Sequence, residues 1–276
     1  MKAGAKAGVN PAVNPTAARG LAGRRVVVTR AREQTGELIA LLEAAGAEAL
    51  VFPCIAFAEP ESWDAADAAI GRLRAAVAPA YDWLLFTSAN GVVCFFDRCA
   101  VRGVAAAGVA ASRVAAVGPA TATALAVRGI EPEVLPEEYV GEGLLEVLIA
   151  HGVGAGSRVL LPRAQEARDV LPDGLRARGA QVDVVPVYRT VTGPGDAAVL
   201  ERLRAGEADA VMFTSPSTAR GFLRLTGGML TPTPVVACIG PIASAAARGN
   251  GMDVSVEPAE HTVAGLVRAL EAHFLD

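Results

Sequence analysis

The sequence predicts an α/β protein with two similar domains, each built on an open parallel sheet that helices cover. The chain of 276 residues is long enough for two domains of ordinary size. Hydrophobic residues make up 52% of it but aromatic residues only 5%, so Ala, Val and Leu must form the cores, as is usual in helix-covered parallel sheets. Apolar runs of strand length alternate with helical patterns, and this order occurs twice.

An internal repeat indicates that the two domains are homologous. Residues 24–53 align with residues 157–186, and twelve of the 30 aligned positions are identical, including Arg30 with Arg163. Two further pairs of segments follow in the same order: 82–88 with 209–215, and 115–119 with 237–241. A repeated order of this kind is typical of two copies of one structural unit.

Each copy alternates predicted strands with predicted helices. Leu38, Leu41 and Leu42 have helical spacing, and Gly46 suits the end of that helix. The first copy predicts strands at 26–29, 49–52, 83–86, 114–117 and 134–135, and helices at 33–45, 90–102 and 120–128. The second copy predicts strands at 159–161, 182–185, 210–213, 235–239 and 254–256. Alternation of this kind predicts parallel sheets with right-handed crossovers.

The pattern alone leaves the connection between the domains open. The two domains could follow one another in tandem, or the first strand-helix-strand unit could join the last part of the chain. Segments 54–58 and 188–191 follow the equivalent prolines Pro53 and Pro186, and both alternate polar and apolar residues. They would suit two antiparallel strands that cross between the domains.

Charge and hydropathy argue against nucleic-acid binding and membrane insertion. The net charge is −4, so no basic excess attracts phosphates. No segment approaches the roughly 20 apolar residues of a membrane span. Residues 1–23 lack the apolar core of a signal peptide, and we predict a disordered tail on a cytoplasmic protein.

The cysteines and histidines do not indicate a metal site. No CxxC pair occurs, and apolar surroundings predict buried, reduced thiols at Cys54, Cys94, Cys99 and Cys238. The histidines are too scattered for metal ligation: His151, His261 and His273. The sequence also lacks a GxGxxG or GxxxxGK[ST] phosphate loop, a Ser-His-Asp set and a carboxylate cluster.

Three kinds of turn, each present in both copies, are the candidate ligand sites. They follow predicted strands, and ligands of open α/β sheets bind beyond the carboxyl ends of the strands. The first kind is Thr29-Arg30, with Pro162-Arg163 in the second copy. The second kind is Thr87-Ser88-Ala89-Asn90, with Thr214-Ser215-Pro216-Ser217. The third kind is Gly118-Pro119-Ala120-Thr121, with Gly240-Pro241-Ile242-Ala243-Ser244. Ser88 and Ser215 suit simple helix capping, but helix N-termini with hydroxyls also bind carboxylates or phosphates. In two facing domains, these turns would point into one cleft.

Taken in order, these motifs resemble the uroporphyrinogen III synthase family over about residues 24–272. The matching pieces are Thr29-Arg30, Phe86-Thr87-Ser88, Val117-Gly118-Pro119-Ala120-Thr121, Val187-Tyr188-Arg189-Thr190, Phe213-Thr214-Ser215-Pro216-Ser217 and Ile239-Gly240-Pro241. The resemblance implies two flavodoxin-like (Rossmann-like) domains with parallel sheets, joined by a two-stranded crossing connection. One domain would hold residues 24–54 plus 190–276, and the other residues 55–188.

The same resemblance implies an enzyme that cyclises hydroxymethylbilane to uroporphyrinogen III, with inversion of the last pyrrole ring and loss of water. It implies no cofactor and no metal, and a linear tetrapyrrole as the small-molecule partner. We also expect a monomer. Two readings from other classes remain open: a non-catalytic two-lobed anion-binding protein, and a ligand sensor.

The resemblance also implies roles for individual residues. Tyr188 matches a cleft tyrosine proposed to assist departure of the hydroxyl group, although it could instead be a packing residue at the domain junction. The implied substrate-binding residues are Thr29, Arg30, Thr87, Ser88, Asn90, Gly118, Ala120, Thr121, Arg163, Arg168, Ser215, Ser217, Ile242 and Ser244. The family often has a threonine where this chain has Ala243, so a hydroxyl contact there is shifted to Ser244 or absent.

Overall fold

The fold is that of a computed structural model, which describes residues 20–75, 79–106 and 112–275. Its strands are β1 (Arg25–Val28), β2 (Glu48–Val51), β3 (Ile55–Ala58), β4 (Trp83–Phe86), β5 (Arg113–Ala116), β6 (Arg158–Ala164), β7 (Gln181–Thr192), β8 (Ala210–Phe213), β9 (Val235–Cys238) and β10 (Val254–Val256). Its α-helices are α1 (Gly36–Ala44), α2 (Asp64–Ala75), α3 (Ala89–Val101), α4 (Pro119–Ala126), α5 (Gly141–Ala150), α6 (Val170–Ala177), α7 (Ala197–Arg204), α8 (Pro216–Thr226), α9 (Pro241–Gly249) and α10 (Val263–His273).

The chain divides into two compact units, each with its own five-stranded sheet. The first unit takes in the described residues up to Ile55 and from Thr192 onward, and the second is Ala56–Val191. The predicted α/β class with parallel sheets is confirmed. That each part folds on its own stays a prediction.

The sheet of the first unit has the order β10-β9-β8-β1-β2, and its strand pairs are parallel. Because side chains alternate along a strand, β1 buries Val26 and Val28 on one face and Val27 on the other. The first face packs against Leu38 and Leu42 of α1 and against α10, and the opposite face packs against α7, α8 and α9. Helices therefore cover both faces of this sheet, as a parallel sheet requires.

The sheet of the second unit has the order β3-β7-β6-β4-β5, and β4 pairs in parallel with β5 and β6. Leu84 and Phe86 of β4 pack against α2, α3 and α4 on one face. Trp83 and Leu85 pack against α5 and α6 on the other face. The second unit is therefore also doubly wound, with β3 added at its edge.

An aspartate before a central strand fixes the register in each unit. The backbone N–H of Arg25, at the start of β1, donates to Asp209 Oδ2 at 2.8 Å. The backbone N–H of Arg158, at the start of β6, donates to Asp82 Oδ2 at 2.7 Å. Asp82 and Asp209 occupy equivalent positions of the repeat, so both copies begin these parallel pairs in the same way.

The structure corrects three predictions. The predicted strand at 134–135 is a single bridge between Val134 and Ala115. The strand predicted at 182–185 does not end at Pro186 but continues to Thr192, and its register with β6 shifts between Arg163 and Ala164. Of the predicted tail 1–23, residues 1–19 lie outside the described part, whereas Leu21 is fully buried in the core beside α1 and α10. The core of the first unit therefore includes a residue before residue 24.

Within the described ranges, no helix combines the length and the apolar character that crossing a membrane would require.

Candidate functional site: the two switch points

Each sheet has one topological switch point, a position on either side of which the chain continues towards opposite edges of the sheet. In the first unit it lies between β1 and β8, because β2 follows β1 towards one edge of the sheet and β9 follows β8 towards the other. In the second unit it lies between β6 and β4, with β7 and β5 on the outer sides. Open α/β sheets bind ligands just beyond such points, at the carboxyl ends of the strands. Arg30 and Ser215 follow the strands at the first point. At the second point, Arg163 is the penultimate residue of β6 and Ser88 follows β4.

At the second switch point, Ser88 joins a helix N-terminus to Tyr188. Its Oγ accepts a hydrogen bond from the backbone N–H of Gly91 at 3.0 Å and thereby caps α3. The same Oγ lies 3.1 Å from the Tyr188 hydroxyl. The predicted residues Ser88 and Tyr188 are therefore brought together.

The Tyr188 side chain is held in an apolar setting. Its ring meets the Phe57 ring edge to face at 5.5 Å, and the residue is only 8% exposed. Burial raises the pKa of its phenol, and the hydrogen bond with Ser88 acts in the opposite direction. The ring also lines a cavity of about 300 Å³ together with Trp63, Cys94 and other residues of the second unit. Tyr188 therefore keeps its proton at neutral pH and can donate a hydrogen bond.

The equivalent turn of the first unit is a capping box. Ser215 Oγ accepts from the backbone N–H of Thr218 at 3.3 Å, and the Thr218 Oγ1 accepts from the backbone N–H of Ser215 at 3.2 Å. The Ser215 and Ser217 hydroxyls lie 2.9 Å apart, and both residues are partly exposed. Two predicted hydroxyls thus meet at the N-terminus of α8.

The remaining predicted contacts lie at the starts of helices. Thr87 is partly exposed just before the Ser88 cap, and Asn90 is the second residue of α3. Gly118 caps α4, where Ala120 is exposed in the first turn, and Ile242 is exposed in the first turn of α9.

Two ring side chains, which the sequence analysis missed, cover the glycines that cap these helices. A Cβ added to Gly118 would lie 3.3 Å from Tyr139 Cβ, and one added to Gly240 would lie 3.1 Å from the His261 ring. Tyr139 and His261 are both exposed and, like Gly118 and Gly240, are separated by 122 positions. That shared offset was the signal that could have found them.

Three of the predicted contact residues are buried: Thr29, Thr121 and Ser244. Thr29 is fully buried and donates to the Met212 carbonyl at 2.6 Å, so it ties β1 to β8. Thr121 is 3% exposed in the first turn of α4. Ser244 is fully buried, and its Oγ has no hydrogen-bond partner within the described part of the chain. Their contact with a substrate stays a prediction.

The three predicted arginines differ in their partners. Arg163 is 8% exposed and donates to the Arg168 carbonyl at 2.9 Å and to Asp169 Oδ1 at 2.6 Å. Arg168 is exposed and forms a bidentate pair with Glu142. Arg30 is partly buried and forms no hydrogen bond or ion pair within the described part of the chain. Burial lowers the pKa of its guanidinium, and the Glu37 carboxylate acts in the opposite direction through space.

The described residues contain no group of three or more His, Cys, Asp or Glu side chains that could hold a metal ion. The cysteines within these ranges are unpaired, and burial raises the pKa of the Cys99 thiol to about 12 and that of Cys238 to about 11.

Comparisons with known proteins agree on one family. The model of the uroporphyrinogen-III synthase HemD family matches residues 36–268. The uroporphyrinogen-III synthase of Synechococcus elongatus is 33% identical over 262 residues, which cover 91% of this chain and 96% of that relative. The chloroplastic uroporphyrinogen-III synthase of Oryza sativa subsp. japonica is 28% identical over 266 residues, covering 90% and 81%.

Two solved structures support the fold. A mutant uroporphyrinogen III synthase from the extremely thermophilic bacterium Thermus thermophilus matches with a TM-score of 0.60 at 20% identity, covering 92% of this chain and 99% of that one. The uroporphyrinogen-III synthetase of Helicobacter pylori matches with a TM-score of 0.59 at 18% identity, covering 91% and 99%.

The two sheets and their switch points define the chain as a doubly wound α/β protein that presents hydroxyls, arginines and helix N-termini at its strand ends. Within that class, the chain belongs to the uroporphyrinogen-III synthase family.

Proposed function

We propose that this protein converts hydroxymethylbilane to uroporphyrinogen III and water, with inversion of the last pyrrole ring. Membership of the uroporphyrinogen-III synthase family supports this activity. The observation that carries the proposal is the pair of hydroxyls, Ser88 and Tyr188, at the switch point of the second unit.

The hydrogen bonds of this pair suit a leaving hydroxyl group. Because Ser88 Oγ accepts from the Gly91 N–H, its own proton is available for the Tyr188 oxygen. The phenol proton is then free to bond to the hydroxyl of the substrate. Its raised pKa keeps that proton in place at neutral pH.

Departure of the hydroxyl leaves an electron-poor azafulvene at the end of the linear tetrapyrrole. The substituted carbon of the last ring attacks it and gives a spiro intermediate, which opens and recloses with that ring inverted. Overall, one C–C bond closes the macrocycle and one molecule of water is released. The protein holds the chain in a reactive conformation and stabilises the charge that develops.

The carboxylates of the substrate are proposed to bind at the strand ends of each unit. Helix N-termini carry partial positive charge and unpaired N–H groups, and they favour anions. The Ser215–Ser217 segment at the start of α8 and the Gly-Pro starts of α4 and α9 offer such groups. Thr87, Asn90, Ala120 and Ile242 lie within these turns and stay proposed contacts.

Turnover distinguishes the enzyme from an anion-binding protein or a sensor. We would add substoichiometric protein to fresh hydroxymethylbilane and follow its disappearance against a protein-free control. An enzyme accelerates the loss of many equivalents per protein. A binding protein protects at most about one equivalent from the spontaneous cyclisation, and that result would overturn the proposal.

Independence from cofactors, a monomeric state, a cytoplasmic location and the absence of nucleic-acid binding also stay predictions. Activity should survive exhaustive dialysis against a chelator, and restoration of lost activity by a metal or a nucleotide would contradict this. Light scattering during gel filtration should give the mass of one chain, 28.1 kDa.

A further inference from the structure

The two switch-point arginines occupy equivalent repeat positions but have opposite surroundings. Both terminal nitrogens of Arg163 are used within its own unit, by the Arg168 carbonyl and the Asp169 carboxylate. Arg30 has no such partner for its terminal nitrogens within the described part of the chain, whereas the Nε atoms of both arginines are buried without a hydrogen bond. The repeat therefore contains one neutralised arginine and one unneutralised arginine.

A single position of the repeat explains the difference. The alignment that pairs Arg30 with Arg163 pairs Gly36 with Asp169. Gly36 is the first residue of α1, and a Cβ built there would meet nothing within 4 Å. The first unit thus has space for a side chain at this point but no carboxylate to fill it. The Glu37 carboxylate raises the pKa of Arg30 through space, but the two side chains form no ion pair.

An unpartnered, partly buried guanidinium costs free energy, which a bound anion would offset. The neighbouring strand end supplies further donors, since β8 lies beside β1 and is followed by the Ser215 and Ser217 hydroxyls at the start of α8. A guanidinium fork fits a planar carboxylate.

We propose that Arg30 is the carboxylate anchor of the first unit, whereas Arg163 is a structural counterpart that Asp169 has already neutralised. The anchor would take an acetate or propionate carboxylate of the tetrapyrrole, so this assignment rests on the proposed function. The two units then have different roles. The first binds a carboxylate of the substrate, and the second positions Tyr188 for the reaction.

Binding of uroporphyrin III, the non-reacting oxidised form of the product, tests the anchor without turnover. Arg30→Gln should raise its Kd roughly tenfold or more, as expected for loss of a charged hydrogen bond. It should leave the Tm equal or higher, since an unpaired buried charge is removed. Arg32→Gln, an exposed arginine of the same segment, changes the net charge equally and should keep the Kd within about twofold of the wild type.

A second pair of variants introduces the missing carboxylate. Gly36→Asp should pair with Arg30, raise the Tm and raise the Kd for uroporphyrin III roughly as Arg30→Gln does. Gly36→Asn has nearly the same shape without the charge and should bind more tightly than Gly36→Asp. A wild-type Kd in Arg30→Gln, or equal Kd values in the two Gly36 variants, would overturn the anchor.

Failure of the anchor and failure of the proposed function can be told apart. Citrate supplies carboxylates without a tetrapyrrole, and thermal protection by it should depend on Arg30. If the wild type does not consume hydroxymethylbilane but shows Arg30-dependent protection by citrate, the assignment of Arg30 as a carboxylate anchor is supported and the proposed activity is wrong. If the wild type turns over hydroxymethylbilane while Arg30→Gln keeps the wild-type KM and Kd, the assignment of Arg30 is wrong and the proposed activity is supported.

Discussion

The proposed role of Tyr188 rests on two contacts within one unit and on the burial of its side chain. Ser88 fixes its hydroxyl, Phe57 packs on its ring, and burial keeps its phenol protonated. These features do not distinguish a catalytic tyrosine from one that only packs at the domain junction, because a packing residue would have them too. The two roles differ only in what the hydroxyl does during the reaction.

Tyr188→Phe removes that hydroxyl and keeps nearly all of the packing. We expect kcat to fall by about tenfold to 100-fold, near or below the low end for general acid assistance, because the substrate also loses water unaided. The Tm should change by no more than a few degrees. Steady-state kinetics and thermal unfolding measure the two effects.

Tyr81→Phe provides the matched control. Tyr81 is buried in the same unit, and its hydroxyl bonds to Asp183 and Arg72 near the amino ends of the strands. This variant should lower the Tm and leave kcat near the wild-type value. Wild-type turnover and isomer purity in Tyr188→Phe at limiting enzyme would make Tyr188 a packing residue.

At the residue scale, the sequence predicted the neighbourhood of the site better than the role of each side chain. The turns that hold Ser88, Ser215 and Arg30 follow strands, as the pattern indicated, and the strand order of the structure puts them at the switch points. The burial of Thr29 could not be predicted, because a threonine after a strand can point to solvent or to the sheet. The difference between Arg30 and Arg163 was visible in the sequence only at Gly36 and Asp169.

At the element scale, Asp209 shows how one carboxylate sets the start of a parallel pair. It accepts from the Arg25 backbone N–H and from the Arg24 guanidinium, and these contacts hold its pKa below its usual range despite the opposing effect of burial. A carboxyl group with a lowered folded pKa stabilises the protein above its unfolded pKa, roughly 3.9. That stabilisation is lost as the pH falls through the folded pKa.

We therefore expect Asp209→Asn to lower the free energy of unfolding by roughly 1 kcal/mol at neutral pH. The difference from the wild type should shrink as the pH falls below about 4, because the wild-type carboxyl group becomes protonated. Urea unfolding at several pH values measures this. Asp253→Asn, an exposed aspartate of the same unit, should show no such trend. A difference that is constant with pH would show that the charge of Asp209 is not involved.

Buried strands were the elements most readily predicted, because their short apolar runs stand out. β4 and β8 have the predicted bounds, and β1 is shifted by one residue. The pattern missed α2, whose alanine-rich sequence lacks a strong apolar face, although Asp64 and Arg74 mark its ends. The length of β7 was missed because Pro186 suggested an end to the strand.

At the scale of the whole molecule, the chain interleaves its two units. β1 pairs with β8, and β4 pairs with β6, so each central pair joins segments on opposite sides of residue 156. A cut there would separate both pairs, even though it falls between the two copies of the sequence repeat. The domain prediction thus differs from a tandem arrangement in a way that fragments can test.

We expect residues 55–191 expressed alone to unfold cooperatively in urea. Fragments 1–156 and 157–276 should each lack a cooperative transition, because each would expose the apolar edges of its central strands. Circular dichroism during urea titration measures both. Two cooperative halves from the cut near residue 156 would support independent tandem domains instead.

Product identity is the most direct measurement on the central claim, since only the enzyme inverts the last ring. Fresh hydroxymethylbilane would be incubated with increasing amounts of protein, oxidised to porphyrin and separated into isomers by liquid chromatography. The type III fraction should rise with protein concentration towards completeness, while the uninverted type I isomer, the spontaneous product, disappears. A product that remains type I at every protein concentration would contradict the assigned reaction.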